Sequence, residues 1–202
     1  IGICMTNTKP NMPPWGGREP TIGNNPFIIA VPNEPYPVLL DMAMSQFSYG
    51  KMEVTQQQGG KLPFAGGFDD DMQLTNDPAP ILENELILPA GYWKGSGLAI
   101  LIDLLVATLS GGKTTHDIGE INMDLGLAQL FMAFDLKRLS ADDSRARAVK
   151  SISDSLLETE AMDAGGQVRY PGQQTWLRRQ ENLEKGIPVD RNTWSSIKAL
   201  AA

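Results

Sequence analysis

Lys94 stands in the run Trp93-Lys94-Gly95-Ser96-Gly97, where a cation and two residues without side chains precede a long apolar segment. If that segment is a helix, its first turn offers free amide donors and the positive end of the dipole. Glycine also permits close backbone approach, so the run suits a phosphate or a carboxylate. The same spacing describes a surface lysine ahead of a tightly packed helix, and the residues alone leave both readings open. Asp41 closes the apolar run that starts at Val38, and a carboxylate at a strand end either caps the next helix or touches a ligand. Met42, Met44 and Met52 nearby read as core filler.

Several other runs resemble chemical motifs and fail on context. Ala107 to Thr114 (ATLSGGKT) approximates a phosphate loop, but it follows a helical pattern instead of a strand, and Lys113 to Asp117 reads as a polar loop. Gly95-Ser96-Gly97 lacks the third glycine of a dinucleotide fingerprint, because Ile100 stands there. Asp69-Asp70-Asp71 has neither the spacing nor the glutamate of a calcium loop and reads as a solvated turn. His116 is the single histidine, so the chain cannot build a histidine metal cluster, and its polar surroundings make it a surface residue. Cys4, the single cysteine, excludes a disulfide framework and reads as a small buried hydrophobe.

The elements that must hold these residues follow from periodicity. Residues 1–6 form an unbroken apolar strand, and Asn7 to Pro26 is a Pro/Gly/Asn-rich ordered loop. Phe27 to Val31 and Val38 to Asp41 are strands separated by PNEPYP, and Ser45 to Gln57 is a helix. Phe68 to Thr75 forms a small hairpin after the loop Gly59 to Gly67. Gly95 to Ser110, apolar on most faces and stopped by Gly111-Gly112, is expected to lie buried between layers. Ala128 to Leu136 reads as a buried strand, and Ser140 with Asp143 as a capping box. The helix after it shows Ala148, Val149, Ile152 and Leu156 as its apolar face. Val168 to Tyr170 is extended, Gln173 to Lys185 a helix, and the last helix starts at Asp190 with Trp194, Ile197 and Leu200 on one face. Strands interleaved with helices give an α/β class.

Composition narrows the partners. With 42% hydrophobic and 20% charged residues the chain is an ordinary globular one, and a net charge of −7 argues against nucleic acid. The apolar run Leu98 to Leu109 is too short for a bilayer and carries Asp103, so no membrane partner is expected and the location reads as cytoplasmic. The chain opens directly in a strand-like run without an initiator Met, and we read it as a fragment whose upstream part is missing.

The segments MPPWGG, IGNNPFIIAVP, LLDMAMSQFSYGK and ILPAGYWKGSGLAI resemble the type-2 malate/L-lactate dehydrogenases, from Ile1 to about Leu200. The blocks D-M-x-x-S-x-x-x-Y-G-K, from Asp41, and L-P-x-G-Y-W-K-G-S-G, from Leu88, carry the likeness. The resemblance implies a non-Rossmann NAD-binding α/β fold with a mixed sheet covered by helices. It implies a homodimeric enzyme that reduces a small-molecule 2-oxo acid with NADH or NADPH. Residues 1–165 would form the cofactor-binding core and 166–202 a C-terminal helical segment. The family's cofactor contacts fall on Pro37, Val38, Leu39, Leu40, Asp41, Met42 and Ala43, on Trp93 and Lys94, and on Gly172, Gln173 and Gln174. Gln174 is an amide where the family usually carries a carboxylate, which keeps hydrogen bonding and loses charge. The family's proton donor, a histidine in a Ser-His-Gly motif, matches no residue of this chain. A malate, lactate or sulfolactate dehydrogenase, or a truncated non-catalytic dimerisation module, are the competing readings.

Overall fold

The computed structural model describes residues 1–121, 123–139 and 144–200. It divides into two compact units, one of Ile1–Ala30 with Leu40–Ser140, the other of Val31–Leu39 with Ala141–Ala202.

In the larger unit, β1 (Gly2–Thr6) pairs antiparallel with both β2 (Phe27–Val31) and β6 (Gln129–Ala133). With β3 (Val38–Met42) they form one sheet in the order β3-β2-β1-β6. The register sets Ile3 opposite Ile29 and Met132, and Met5 opposite Phe27 and Leu130. Period-2 alternation turns Ile3, Met5, Leu130 and Met132 onto one face, where they join Met12, Met44, Ala99, Ile102 and Val106. A second cluster of Met52, Leu62, Ile81 and Ile87 packs α1 (Tyr49–Gln57) with α2 (Pro78–Asn84).

α3 (Trp93–Ser110) lies on this sheet but is not buried between layers. Ala99, Ile102 and Val106 face the core, whereas Leu98, Leu101, Leu105 and Leu109 are exposed. At 18 residues it is the one described helix long and apolar enough to cross a membrane. Its Asp103 argues for a core helix instead, because the carboxylate accepts from Asn7 Nδ2 at 2.8 Å and from the Thr115 amide at 2.9 Å. Gly111, at φ 66°, ends the helix in the left-handed conformation that its lack of Cβ allows.

Other boundaries shift from the sequence expectations. The first helix starts at Tyr49, not Ser45, because Gln46 donates its amide to Leu88 O (2.8 Å) in an extended pairing and Ser48 supplies the cap to Lys51 N. The Lys113–Asp117 loop turns into α4 (Thr115–Ile121), nucleated where Asp117 accepts from both the amide and the hydroxyl of Thr114. β6 stops at Ala133 and alternates between exposed and half-buried, so it is an amphipathic strand and Leu136 belongs to the short α5 (Leu136–Leu139). Periodicity does not reveal α2, although Asp77-Pro78 is a cap followed by proline at the first helical position. The hairpin β4 (Gly67–Phe68) with β5 (Leu74–Thr75) forms as expected around the acidic turn.

The smaller unit holds α6 (Ser144–Leu157), α7 (Gln173–Lys185) and α8 (Arg191–Leu200). On α6 the inward positions are Val149 and Ser153, while Ile152 of the expected apolar face is 65% exposed. Val168 to Tyr170 is irregular chain, not a strand, with Tyr170 buried. Asp190 caps α8 through the amides of Asn192 and Thr193, yet Trp194, Ile197 and Leu200 are exposed. The Ser140–Asp143 capping box lies outside the described residues.

Candidate functional site

In the larger unit, β3 delivers Leu40, Asp41 and Met42, and the chain continues extended through Ala43 and Met44. The Met44 amide donates to Asn24 O (2.7 Å), and Met44 O accepts from the Ala90 amide (2.8 Å). Gln46 ties in further, because its Oε1 accepts from the Gly91 amide at 3.3 Å. These bonds lash the segment after Asp41 to the loop that opens α3, so Met42 to Gln46 and Trp93-Lys94 share one framework. Asp41 and Leu40 are exposed; Met42 leans on the core. Of the two roles open to Asp41, capping the next helix is removed, because Ser48 holds that place.

The first turn of α3 has no side-chain cap, and Tyr92 at its entry adopts φ 61° with its ring edge-on to Trp15 (centroids 5.2 Å). Gly95 is required by the fold itself: a Cβ there would collide with Ala90 O and lie 2.7 Å from Ala90 N. Ser96 is buried, its hydroxyl accepting from the Trp15 amide at 2.9 Å. Trp93 is 64% exposed, and Lys94 is exposed with its ammonium 6.0 Å from the Trp93 ring centroid. Lys94 makes no ion pair among the described residues. A solvent-facing cation thus sits at an uncapped helix start, while the two residues after it are committed to packing.

In the smaller unit, Pro37, Val38 and Leu39 are half-buried, and the Leu39 amide donates to Pro171 O at 2.9 Å. Gly172 (φ 88°) comes so close that a Cβ would stand 2.9 Å from Leu39 O and Cβ, which explains the glycine. Gln173 Oε1 is buried without a hydrogen-bond partner among the described residues, whereas Gln174 is exposed. Gln174 begins a groove of about 500 Å³ along α7, with Arg178, Arg179 and Asn182. This unit therefore brings the strand start and the Pro-Gly turn together.

Sequence reasoning missed the asparagine framework beneath these segments. Asn7 donates to Asp103 and to Lys113 O (2.7 Å) and accepts from the Ala128 amide (2.8 Å). Asn25 donates to Ala99 O, and Asn11 exchanges two bonds with Asn24. The only available signal was the density of Asn in an apparent loop. Tyr49, the tyrosine of the first motif block, donates to Asn11 O at 3.1 Å. Burial, reinforced by Glu85, pushes its phenol above the ordinary tyrosine value, so it acts as a protonated strut. His116 is exposed on α4, as its polar surroundings suggested, and no group of metal-ligating side chains occurs among the described residues. Cys4 is only half-buried.

The sequence pattern of malate/L-lactate dehydrogenase matches residues 1–198. The chain belongs to that family. This malate/L-lactate dehydrogenase family member is 42% identical to 2,3-diketo-L-gulonate reductases of Citrobacter koseri and Escherichia coli over 99% of its length. It spans about 60% of the length of those relatives. Among solved structures, sulfolactate dehydrogenase from Methanocaldococcus jannaschii is 30% identical with a TM-score of 0.82, covering 98% of this chain and 57% of that one. Malate dehydrogenase from Entamoeba histolytica, 22% identical, superposes over all of this chain and 60% of its own with a TM-score of 0.91. That last likeness is one of fold.

Proposed function

We propose that this family member binds a nicotinamide dinucleotide, NADH or NADPH, in an enzyme that reduces 2,3-diketo-L-gulonate to 3-dehydro-L-gulonate. The observation that carries the reading is the 42% identity to 2,3-diketo-L-gulonate reductases sustained over 99% of the chain. When bound, the dinucleotide supplies the hydride delivered to the 2-oxo carbon.

The residues fit such a group by their chemistry. Lys94, exposed at the uncapped start of α3 and without an ion pair among the described residues, is suited to neutralise phosphate. Trp93, with most of its ring in solvent, offers a stacking face. Asp41, freed from capping, offers a carboxylate at the strand end for a hydroxyl, and the family's contacts fall on the backbone of Pro37 to Ala43. Gly172, Gln173 and Gln174 add a turn whose buried Gln173 Oε1 lacks a donor among the described residues. The proton that completes a carbonyl reduction needs an acid suited to neutral pH. His116, exposed on α4, is not proposed as that acid, and no residue of this chain is assigned the role.

The fold is proposed to be a non-Rossmann one. Both pairings of β1 are antiparallel, unlike a doubly wound parallel sheet, and the Gly-Ser-Gly run lies inside a helix instead of at a strand-to-helix turn. Residues 1–165 act as the cofactor-binding core, with 166–202 as its C-terminal helical segment, in a cytoplasmic homodimer. The likeness to a sulfolactate dehydrogenase favours a second reading, a dehydrogenase of another 2-hydroxy acid. Lys94→Ala is expected to raise the dinucleotide dissociation constant about tenfold, the scale of one charge-assisted contact. An unchanged constant would remove Lys94 from the site. Steady-state rates with a panel of 2-oxo acids separate the substrates, and a faster rate with sulfopyruvate than with 2,3-diketo-L-gulonate would overturn the first reading.

A further inference from the structure

We propose that Trp176 is a positioning residue for the dinucleotide: its contacts with Tyr36 and Arg179 fix the chain entering β3 on the Pro171–Gly172 turn. The inference rests on the proposed function, which uses Pro37 to Leu39 and Gly172 to Gln174 as cofactor contacts.

The Trp176 and Tyr36 rings stack with centroids 5.6 Å apart and planes only 11° from parallel. The Arg179 guanidinium lies 5.7 Å from the centroid of the same indole. The indole N–H is buried and makes no hydrogen bond among the described residues, so ring-face contacts hold this side chain in place. Trp176 is in the first turn of α7, where its amide donates to Gly172 O at 3.2 Å. Any movement of the ring is therefore passed directly to the turn.

Tyr36 stands three residues before Leu39, whose amide donates to Pro171 O at 2.9 Å. A single backbone hydrogen bond leaves the two strands of chain free to pivot about it. The stack supplies a second attachment a few residues away, and two attachments fix orientation as well as distance. Gly172, with no room for a Cβ against Leu39, makes that orientation close-fitting. Neither aromatic needs to touch the ligand for this arrangement to matter, because preorganisation lowers the cost of binding.

The test measures dissociation constants for NADH and NADPH by calorimetry on the full-length protein. The variants are Trp176→Ala, Trp176→Phe, Tyr36→Ala and the Trp176→Ala/Tyr36→Ala double variant. Each alanine substitution is expected to weaken binding about tenfold, with the double variant no more than about twofold worse than either, because both remove one shared contact. Trp176→Phe, which keeps a ring, is expected to recover most of the affinity. In turnover, Trp176→Ala raises KM for the dinucleotide and moves kcat less. If Trp176→Ala loses native circular dichroism, Tyr36→Leu against Tyr36→Phe carries the same comparison from the other ring. Affinity within twofold of wild type in the alanine variants, or fully multiplicative losses in the double variant, would overturn the inference alone. A wild-type protein that binds neither dinucleotide would overturn the proposed function and this inference with it.

Discussion

Two glycines two residues apart in the Gly95-Ser96-Gly97 run are expected to respond in opposite directions to alanine. At Gly95 the new Cβ meets Ala90 O and lies 2.7 Å from Ala90 N. Ala90 cannot yield easily, because its amide is bonded to Met44 O at 2.8 Å. Overpacking against fixed backbone costs up to about 3 kcal/mol, and the better helix propensity of alanine returns about 1 kcal/mol. The net loss is then about 2 kcal/mol, or a fall of roughly 4–8 °C in Tm for a chain of this size. At Gly97 no atom lies within 4 Å of the position a methyl group would take, so only the propensity gain applies. Gly97→Ala is expected to raise Tm by roughly 2–4 °C. Differential scanning calorimetry on both variants gives the answer directly. Equal destabilisation at the two positions would refute the steric reasoning. A stabilised Gly97→Ala protein with weakened dinucleotide binding would mean that the ligand, not the fold, requires that glycine.

The polar framework and the α4 cap give two further expectations. Asn7→Ala leaves the Ala128 amide, Lys113 O and one Asp103 contact without their partner, and is expected to cost about 2–4 kcal/mol in urea denaturation. A loss below about 1 kcal/mol would mean water replaces the amide. Asp117 is held below the ordinary carboxylate value, first by the Thr114 amide and then by its hydroxyl. Its contribution to stability is therefore complete above the unfolded value of ~3.9 and disappears as pH falls through the lower folded value. The stability gap between wild type and Asp117→Asn should narrow over that acidic window, and a gap constant with pH would contradict the assignment.

Where local chemistry decided an element, its outline could be read from the sequence. Phe27–Val31 is bounded by prolines on both sides, and Gln173–Lys185 lies between the Pro-Gly turn and Gly186, so both match the structure residue for residue. Features fixed by distant partners were hidden. The Ser45–Phe47 stretch has helix-compatible residues, but pairing with Leu88 to Ala90 keeps it extended. An Asp in the middle of an apolar helix is an exception in the sequence until Asn7, 96 positions away, stands beside it in the fold. The site shows the same division. Trp93, Lys94 and the strand end were found from spacing and resemblance, whereas Trp176 could not be separated from any other apolar position on an amphipathic helix without seeing Tyr36.

The central place of β1 in the sheet has a consequence for synthesis. One of its edges is satisfied by β2, about twenty residues on, but the other pairs with Gln129–Ala133. At the usual elongation rate the ribosome needs roughly 5–20 s to make the ~100 residues between those two partners. Until Gln129–Ala133 is made, a nascent Ile3–Met5 strand presents open hydrogen-bonding groups, and its apolar face stays uncovered until α3 is complete at Ser110. The two bonds between Asn11 and Asn24 need only the chain up to residue 24, so the loop between β1 and β2 can close before that partner is translated. Translation speed over residues 30–130 is thus a variable that recombinant expression of this chain should feel.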